Sequence, residues 1–380
     1  QPWGNNFLKI EELGKEKFYP LELLFCKDCN LSQLSHTVKK EIMFSDHTYL
    51  SGMTSSLSNH FKDLAIYINK HFNKKNVKKN ILDIGSNDGT CLKHYKDLGW
   101  DVLGVESSKK ISNIANKNKI KTLNDFYNLN CAKKIGQKFD FINASGVFFH
   151  LEELHSVTKG IKYNLNDKGI FIIQFLYMSQ IMKNVAFDQI YHEHLLYYNL
   201  ETLQNLLNMH NLQIFDAYLS DIHGGQMVAF ASHKNIYKTT ERLNNLFMEE
   251  NKKNSNQITS YYEFSKKAEK LKEKNLNFIE SSLREKKTIF GLGAPVKGNT
   301  LLNYFGINKN MIKKLLEIND LRRNLYAPGS HIPVIMEKDE LEVPDIFYVL
   351  AWNFKEEILK KKSKLLEQGI EFYFPIEVKK

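Results

Sequence analysis

Over the middle of the chain, apolar residues gather into short runs separated by polar stretches of helical period. The runs in NILDIGSNDGT (80–90), WDVLGVESS (100–108), KFDFINAS (138–145) and GIFIIQF (169–175) are bounded by Gly, Asp or Lys. Runs of this length alternating with helical stretches predict an α/β unit with a parallel, doubly wound sheet. A second glycine-rich strand, turn and helix follows at KTIFGLGAPVKGNTLLNYFGI (287–307) and continues through MIKKLLEIND and PDIFYVLAWNF as another small α/β unit. Between the two, residues 235–287 are rich in Lys, Glu and Asn. They carry apolar residues at helical intervals, among them Leu243, Leu246, Phe247, Tyr262, Phe264, Ala268 and Leu271. That pattern predicts one or two solvated connecting helices with no chemistry of their own.

At 380 residues, with 42% hydrophobic and 12% aromatic content, the chain suits two or three packed domains. No run of about 18 apolar residues occurs, so no membrane span is expected, and no charged leader followed by an apolar stretch opens the sequence. The chain begins at Gln1 rather than Met, so further residues are expected upstream. The formal charge of +10 invites a nucleic-acid partner, but only four of the 53 basic residues are Arg (Arg242, Arg284, Arg322, Arg323). Scattered Lys among many Asn does not make the forked phosphate and base contacts that Arg provides, so no nucleic acid is expected. The cysteines Cys26, Cys29, Cys91 and Cys131 are too few and too unevenly placed for a disulfide framework, which points to a reducing, cytoplasmic setting.

Candidate chemistry begins at the first glycine turn. Gly85 and Gly89 let backbone approach a ligand at the carboxyl ends of the strands. Glu106, at the end of the second strand and 23 residues beyond Asp83, is placed to accept hydrogen bonds from a ribose diol. A dinucleotide fingerprint would read G-x-G-x-x-G; the G-x-x-x-G here tilts the cofactor from NAD toward S-adenosylmethionine, whose sulfonium end carries no phosphates to cradle. In the second glycine segment, Lys297 beside a helix start is placed to meet an anion.

The stretch IYHEHLLYY (190–198) packs Tyr191, His192, Glu193 and His194 together. Helical zinc sites place two His four apart, and His192 and His194 are two apart, so that match fails. An acid/base cluster and a polar turn remain as readings. In FCKDCNLSQL, Cys26 and Cys29 supply half of a tetrahedral zinc site.

Taken in order, several segments resemble the S-adenosylmethionine-dependent sugar C-methyltransferases of deoxysugar biosynthesis, which act on nucleotide-linked 4-keto-6-deoxysugars. They are YPLELLFCKDCNLSQL, TYLSG, ILDIGSNDGT, GVESS, VFFHLEEL, IYHEHLLYYNLETL, IHGGQMVAF, GAPVKGNTLLNYFGI, PGSHIP and LAWNF, which together span nearly the whole chain. The resemblance implies a small N-terminal zinc-binding domain (1–60), a central Rossmann-like methyltransferase domain (61–232), and a helical linker with a C-terminal Rossmann-like α/β domain (233–380). It implies a structural zinc on Cys26 and Cys29, with two further ligands upstream of Gln1. It assigns Asp83, Gly85, Ser86, Asn87, Asp88, Gly89 and Glu106 to the cofactor, and Tyr191, Glu193, His194, His150 and Tyr49 to catalysis, with His192 structural. The sugar nucleotide is assigned to His223, Gly224, Lys297, Gly298, Asn299, Asn303, Trp352 and Asn353. A monomer is expected, with its product destined for a surface polysaccharide or a glycosylated metabolite. The chain departs from the family pattern at Gln174, where many relatives have Glu, and at Arg322, Arg323 and Asn324, where a Lys and a Gly are usual.

The chemistry fits these residues on independent grounds. A ketone acidifies hydrogen on the neighbouring carbon, and His194 has the proton affinity to act as base near neutral pH. Glu193 can orient the imidazole, and a Tyr hydroxyl or His150 can donate to the developing enolate oxygen. The expected reaction is C-methylation, at C-3 ahead of C-5. Two other readings compete: O- or N-methyl transfer to a sugar or small molecule, and a zinc-knuckle nucleic-acid-binding protein without methyl transfer, which would show a steep salt dependence.

Overall fold

A computed structural model describes residues 1–44, 50–53, 55–73 and 77–378, and its strands form three sheets. In the first, β1 (Leu23–Phe25) pairs antiparallel with β2 (Ser32–Leu34), and β2 with β8 (Leu196–Tyr197). The third strand of this sheet therefore comes from the chain immediately after residues 191–194, so the His/Glu turn is delivered to the edge of the N-terminal unit.

The second sheet contains β3 (Asn80–Ile84), β4 (Asp101–Glu106), β5 (Thr122–Asn124), β6 (Phe139–Ser145), β7 (Leu165–Leu176), β9 (Leu212–Ser220) and β10 (Gln226–His233), in the order β5-β4-β3-β6-β7-β10-β9. The first five are parallel and read as continuous apolar runs because helices cover both their faces. β10 departs from the all-parallel expectation: it runs antiparallel to both β7 and β9, so β9 keeps the direction of the first five. The short turn around Ile222–Gly224 dictates this, since a tight connection joins only antiparallel neighbours.

The third sheet is wholly parallel. It contains β11 (Ile289–Leu292), β12 (Leu315–Glu317), β13 (Val334–Met336), β14 (Ile346–Val349) and β15 (Glu371–Tyr373), in the order β13-β12-β11-β14-β15. One apolar cluster runs without a break from Leu82 and Phe171 under the second sheet to Leu301, Val349 and Trp352 under the third. A separate cluster lies on the other face of the second sheet, where Phe61, Leu64 and Ile68 of the helix Ser55–Phe72 meet Trp100, Phe141 and Phe230.

The connecting segment is two helices, Glu241–Lys252 and Ile258–Arg284, and they are not simply solvated. Tyr261, Phe264, Ala268 and Ile279 are buried, whereas Tyr262 is 63% exposed, so the apolar face lies one residue from its expected phase there. Glu250 is buried as well. It accepts from the Tyr177 hydroxyl (2.7 Å) and from the amides of Leu200 (2.7 Å) and Glu201 (3.0 Å), closing the start of the helix Leu200–Asn208.

Candidate active site

The chain leaves β3 through a turn with three left-handed residues, Gly85 (φ 69°), Asn87 (φ 51°) and Gly89 (φ 82°). Gly85 is required twice over, because a Cβ there would stand 2.4 Å from Val147 Cγ2. Glu106, at the end of β4, accepts from the Asn87 amide (3.0 Å) and the Ser108 amide (2.8 Å), which fixes its carboxylate beside the turn. Asp83 lies beneath the turn rather than in it. Its carboxylate accepts from Asn143 Nδ2 (2.6 Å), and burial pushes its pKa up to about 7.

The N-terminal part closes over the same turn. The Ser51 amide donates to Asn87 Oδ1 (2.9 Å) and the Gly52 amide to Asp88 Oδ2 (3.0 Å). Two observations suit a nucleoside-type ligand here. The buried Ser86 hydroxyl has no hydrogen-bond partner, and a Cβ added at Gly146, just past β6, would meet nothing within 4 Å.

The His/Glu turn is built on the 3-10 turn Phe187–Gln189 and pinned at its far end, where the Leu195 amide donates to the Phe149 carbonyl (2.9 Å) and the Leu34 amide to the Leu195 carbonyl (3.0 Å). His194 is buried, and its Nδ1 faces the Gln189 carbonyl at 2.7 Å. A ring nitrogen facing a carbonyl must carry the proton, so Nε2 holds the lone pair. Tyr191 lies over the same ring (centroids 3.8 Å), Phe149 meets its edge (4.7 Å), and His150 stands 5.1 Å away. His150 Nδ1 in turn donates to the Glu193 carbonyl. His192 points the other way: its Nε2 donates to the Pro20 carbonyl (3.2 Å), it packs against Tyr19, and burial holds its pKa down to about 4.

A third group gathers beside this turn from the third sheet. Trp352, fully buried, donates from Nε1 to Asp188 Oδ2 (2.6 Å). Lys297 Nζ sits 3.8 Å from the Trp352 ring centroid and donates to Asn353 Oδ1 (2.6 Å); desolvation lowers its pKa to about 8. Gly224 lies at the edge of the same indole, where a Cβ would come within 2.8 Å of Trp352 Cη2.

The sequence-expected residues thus divide. Gly224, Lys297, Trp352 and Asn353 come together, with Gly298 packed on Leu350 and Pro295. Asn299 and Asn303 hold backbone with their amide nitrogens: Asn299 Nδ2 donates to the Gly4 carbonyl (2.7 Å), and Asn303 Nδ2 to those of Asn299 (2.7 Å) and Pro328 (3.0 Å). Tyr49 lies outside the described residues. His223 is placed through its backbone in the turn Ile222–Gly224.

Two residues escaped sequence reading. Trp3 Nε1 donates to Glu193 Oε1 (2.8 Å) across 190 positions, and Asp188 grips Trp352 across 164. The one available hint was Asp188's place three residues ahead of the cluster. Gln174, a departure from the family pattern, commits its amide to His60 (2.8 Å) and Gln226 (2.5 Å).

Cys26 and Cys29 flank the turn between β1 and β2, where backbone amides of Asp28 and Cys29 and the Cys29 side chain lower the Cys26 thiol pKa. Two thiols fit half of a four-ligand zinc site; no group of three or more metal-ligating side chains occurs among the described residues.

Comparison with known proteins gives this arrangement its class. Three family models match along the chain: "Putative zinc binding domain" over residues 1–44, "Methyltransferase domain" over 57–217, and "C-methyltransferase C-terminal domain" over 221–377. Together the three models cover most of the chain, in the order of a zinc-binding, a methyltransferase and a C-methyltransferase C-terminal domain. A curated relative is the C-methyltransferase NovU of Streptomyces niveus, 27% identical over 381 residues, 99% of this chain and 90% of the relative. Among solved structures, the plantazolicin methyltransferase BpumL in complex with SAH is 17% identical over 46% of this chain and 82% of its own, with a TM-score of 0.37. The PH0226 protein of Pyrococcus horikoshii OT3 is 15% identical over 49% and 95%, with a TM-score of 0.38. Among the described residues no helix is long and apolar enough to cross a membrane.

Proposed function

We propose that this chain methylates a carbon next to the ketone of a nucleotide-linked 4-keto-deoxysugar, at C-3 in preference to C-5, with S-adenosylmethionine as methyl donor. The observation that carries the reading is the His194 hydrogen bond to the Gln189 carbonyl, which leaves Nε2 as a base, with the Tyr191 ring packed over the imidazole and His150 beside it. When bound, S-adenosylmethionine supplies an electrophilic methyl group; the carbon nucleophile has to be generated by the chain.

The turn 85–89, Glu106 and the open space at Gly146 would hold the methyl donor, with Asp83 supporting the turn from below. His194 Nε2 takes the proton from the carbon beside the ketone. Charge then develops on the ketone oxygen, where the hydroxyl of Tyr191, or His150 in its imidazolium form, donates to it. Glu193, held by Trp3, offsets the imidazolium that forms. Lys297, Trp352, Asn353 and Gly224 form the face toward the sugar nucleotide, and Cys26 and Cys29 contribute to a structural zinc. In this reading residues 1–60, 61–232 and 233–380 carry the zinc, the methyl donor and the sugar nucleotide respectively, and the protein works in the cytoplasm.

The test is methyl transfer from S-adenosylmethionine to a panel of 4-keto-6-deoxysugar nucleotides, with the product carbon assigned by NMR. A new methyl on C-3 is expected. Methyl transfer only to oxygen or nitrogen, independent of an adjacent ketone, would overturn the reading.

A further inference from the structure

Asp188 has the setting of a functional carboxylate and no role in the scheme above. It sits in the turn Phe187–Gln189, fully buried, with Oδ2 committed to the Trp352 indole and Oδ1 buried without a hydrogen bond. The next residue, Gln189, supplies the carbonyl that fixes His194. The indole that Asp188 grips carries Lys297 on its face and Gly224 along its edge. One short turn therefore touches both the base and the face that belongs to the third sheet.

We propose that Asp188 is a positioning residue, which fixes the Trp352 indole against the catalytic turn and balances the Lys297 ammonium so that the substrate meets a charged lysine. The proposal rests on the reading of Lys297 and Trp352 as part of the substrate face. An amide in place of the carboxylate would hold the indole equally well, so the indole alone does not call for a buried charge, which is costly to desolvate. The ammonium does. Desolvation draws Lys297 toward the neutral amine, and the charge on Asp188 opposes it. Burial pushes Asp188 itself up to about 6, so it is an anion wherever Lys297 titrates. Among the described residues Tyr348 on β14 also faces it; its phenol is driven well up by burial, with smaller contributions from Tyr373 and Asp188, and donates to Asn275 Oδ1 (2.6 Å).

The test has two readouts on the full chain. Competitive acetylation as a function of pH, read on the tryptic peptide bearing Lys297, gives that lysine's titration midpoint without any substrate. KM and kcat for the sugar nucleotide are followed over the same pH range. In Asp188→Asn the proton affinity of Lys297 should fall about tenfold, as loss of a neighbouring opposite charge implies, and KM should rise about fivefold at the wild-type midpoint and toward about tenfold above it, while kcat changes much less. Asp188→Glu, which keeps the charge, should keep the midpoint, and in a Lys297→Arg background Asp188→Asn should no longer alter the pH dependence of KM. An unchanged Lys297 midpoint in Asp188→Asn overturns the proposal. A lowered midpoint with an unchanged KM overturns the substrate role of Lys297, and the purpose assigned to Asp188 with it. Absence of turnover on every sugar nucleotide would sink the proposed function while the labelling still reports the charge coupling.

Discussion

The second and third sheets use the same local design and wire it oppositely. Each opens with a strand and a glycine turn, and each ends its second strand in a buried acid, Glu106 in one and Glu317 in the other. Glu106 accepts from two backbone amides and from the Ser107 hydroxyl (3.3 Å). Glu317 accepts from the amides of Ala294 (3.1 Å), Ile318 (2.7 Å) and Asn319 (3.0 Å), and its remaining bond is taken by the Arg322 guanidinium (2.9 Å). Arg322 also donates to the Ala294 carbonyl (2.6 Å) and lies over Phe7, so it stitches the turn to the N-terminal unit. A glycine turn with an acid after it thus describes both a crevice and a closed structural joint. In the joint, the acid is met by a cation five residues further along the chain, Arg322.

Loss of that cation is the sharpest way to break the comparison. Arg322→Ala leaves Glu317 buried and short of its partner, and should cost about 2 kcal/mol or more in urea unfolding, with the affinity for S-adenosylmethionine unchanged. Glu106→Gln should do the reverse: little loss of stability and about a 10- to 100-fold weaker Kd for S-adenosylmethionine by calorimetry, the size of a lost charged hydrogen bond. Equal effects of the two changes on Kd would erase the distinction.

The turns also separate by pH. Asp83, raised from the ordinary 3.8 to about 7, keeps its proton in the folded chain over a window in which the unfolded chain has released it. Stability should therefore fall as pH rises from about 4 to 7 and level off above, and the slope should flatten in Asp83→Asn, as checked by urea midpoints across that range. Smallest of all, Gly146→Ala meets no neighbour but must hold a left-handed φ of 73°, for a loss of about 1 kcal/mol, and its methyl should also weaken S-adenosylmethionine binding.

Much of this was legible in the sequence because it is local. The β3 run, Gly85, Gly89 and Glu106 lie within one strand-turn-helix-strand unit, and the pattern of apolar runs reports such units directly. Residues 191–194 announced themselves by having four proton-bearing side chains in a row. What stayed hidden depends on packing between distant segments. Trp3 reaching Glu193 and Asp188 reaching Trp352 leave no periodic signal, because each partner is placed by a different element. The burial of Tyr261 instead of Tyr262 is the same limit on a smaller scale: apolar spacing gives the existence of the helix Ile258–Arg284, and tertiary contact with Phe25 chooses which ring turns inward. Asn299 and Asn303 show the converse, since polar side chains on a glycine-rich helix start are as useful for holding backbone as for holding a ligand.

The central claim is that His194 makes a carbon nucleophile, and hydrogen exchange tests it apart from methyl transfer. A 4-keto-6-deoxysugar nucleotide is incubated in D2O with the wild-type chain and with His194→Ala, and deuterium at each ring carbon is followed by NMR before S-adenosylmethionine is added. The account predicts exchange at one carbon beside the ketone, slowed about 100-fold or more in His194→Ala, with the methyl group later appearing on that same carbon. Exchange that persists unchanged in His194→Ala, or a methyl group on a carbon that never exchanged, would contradict it.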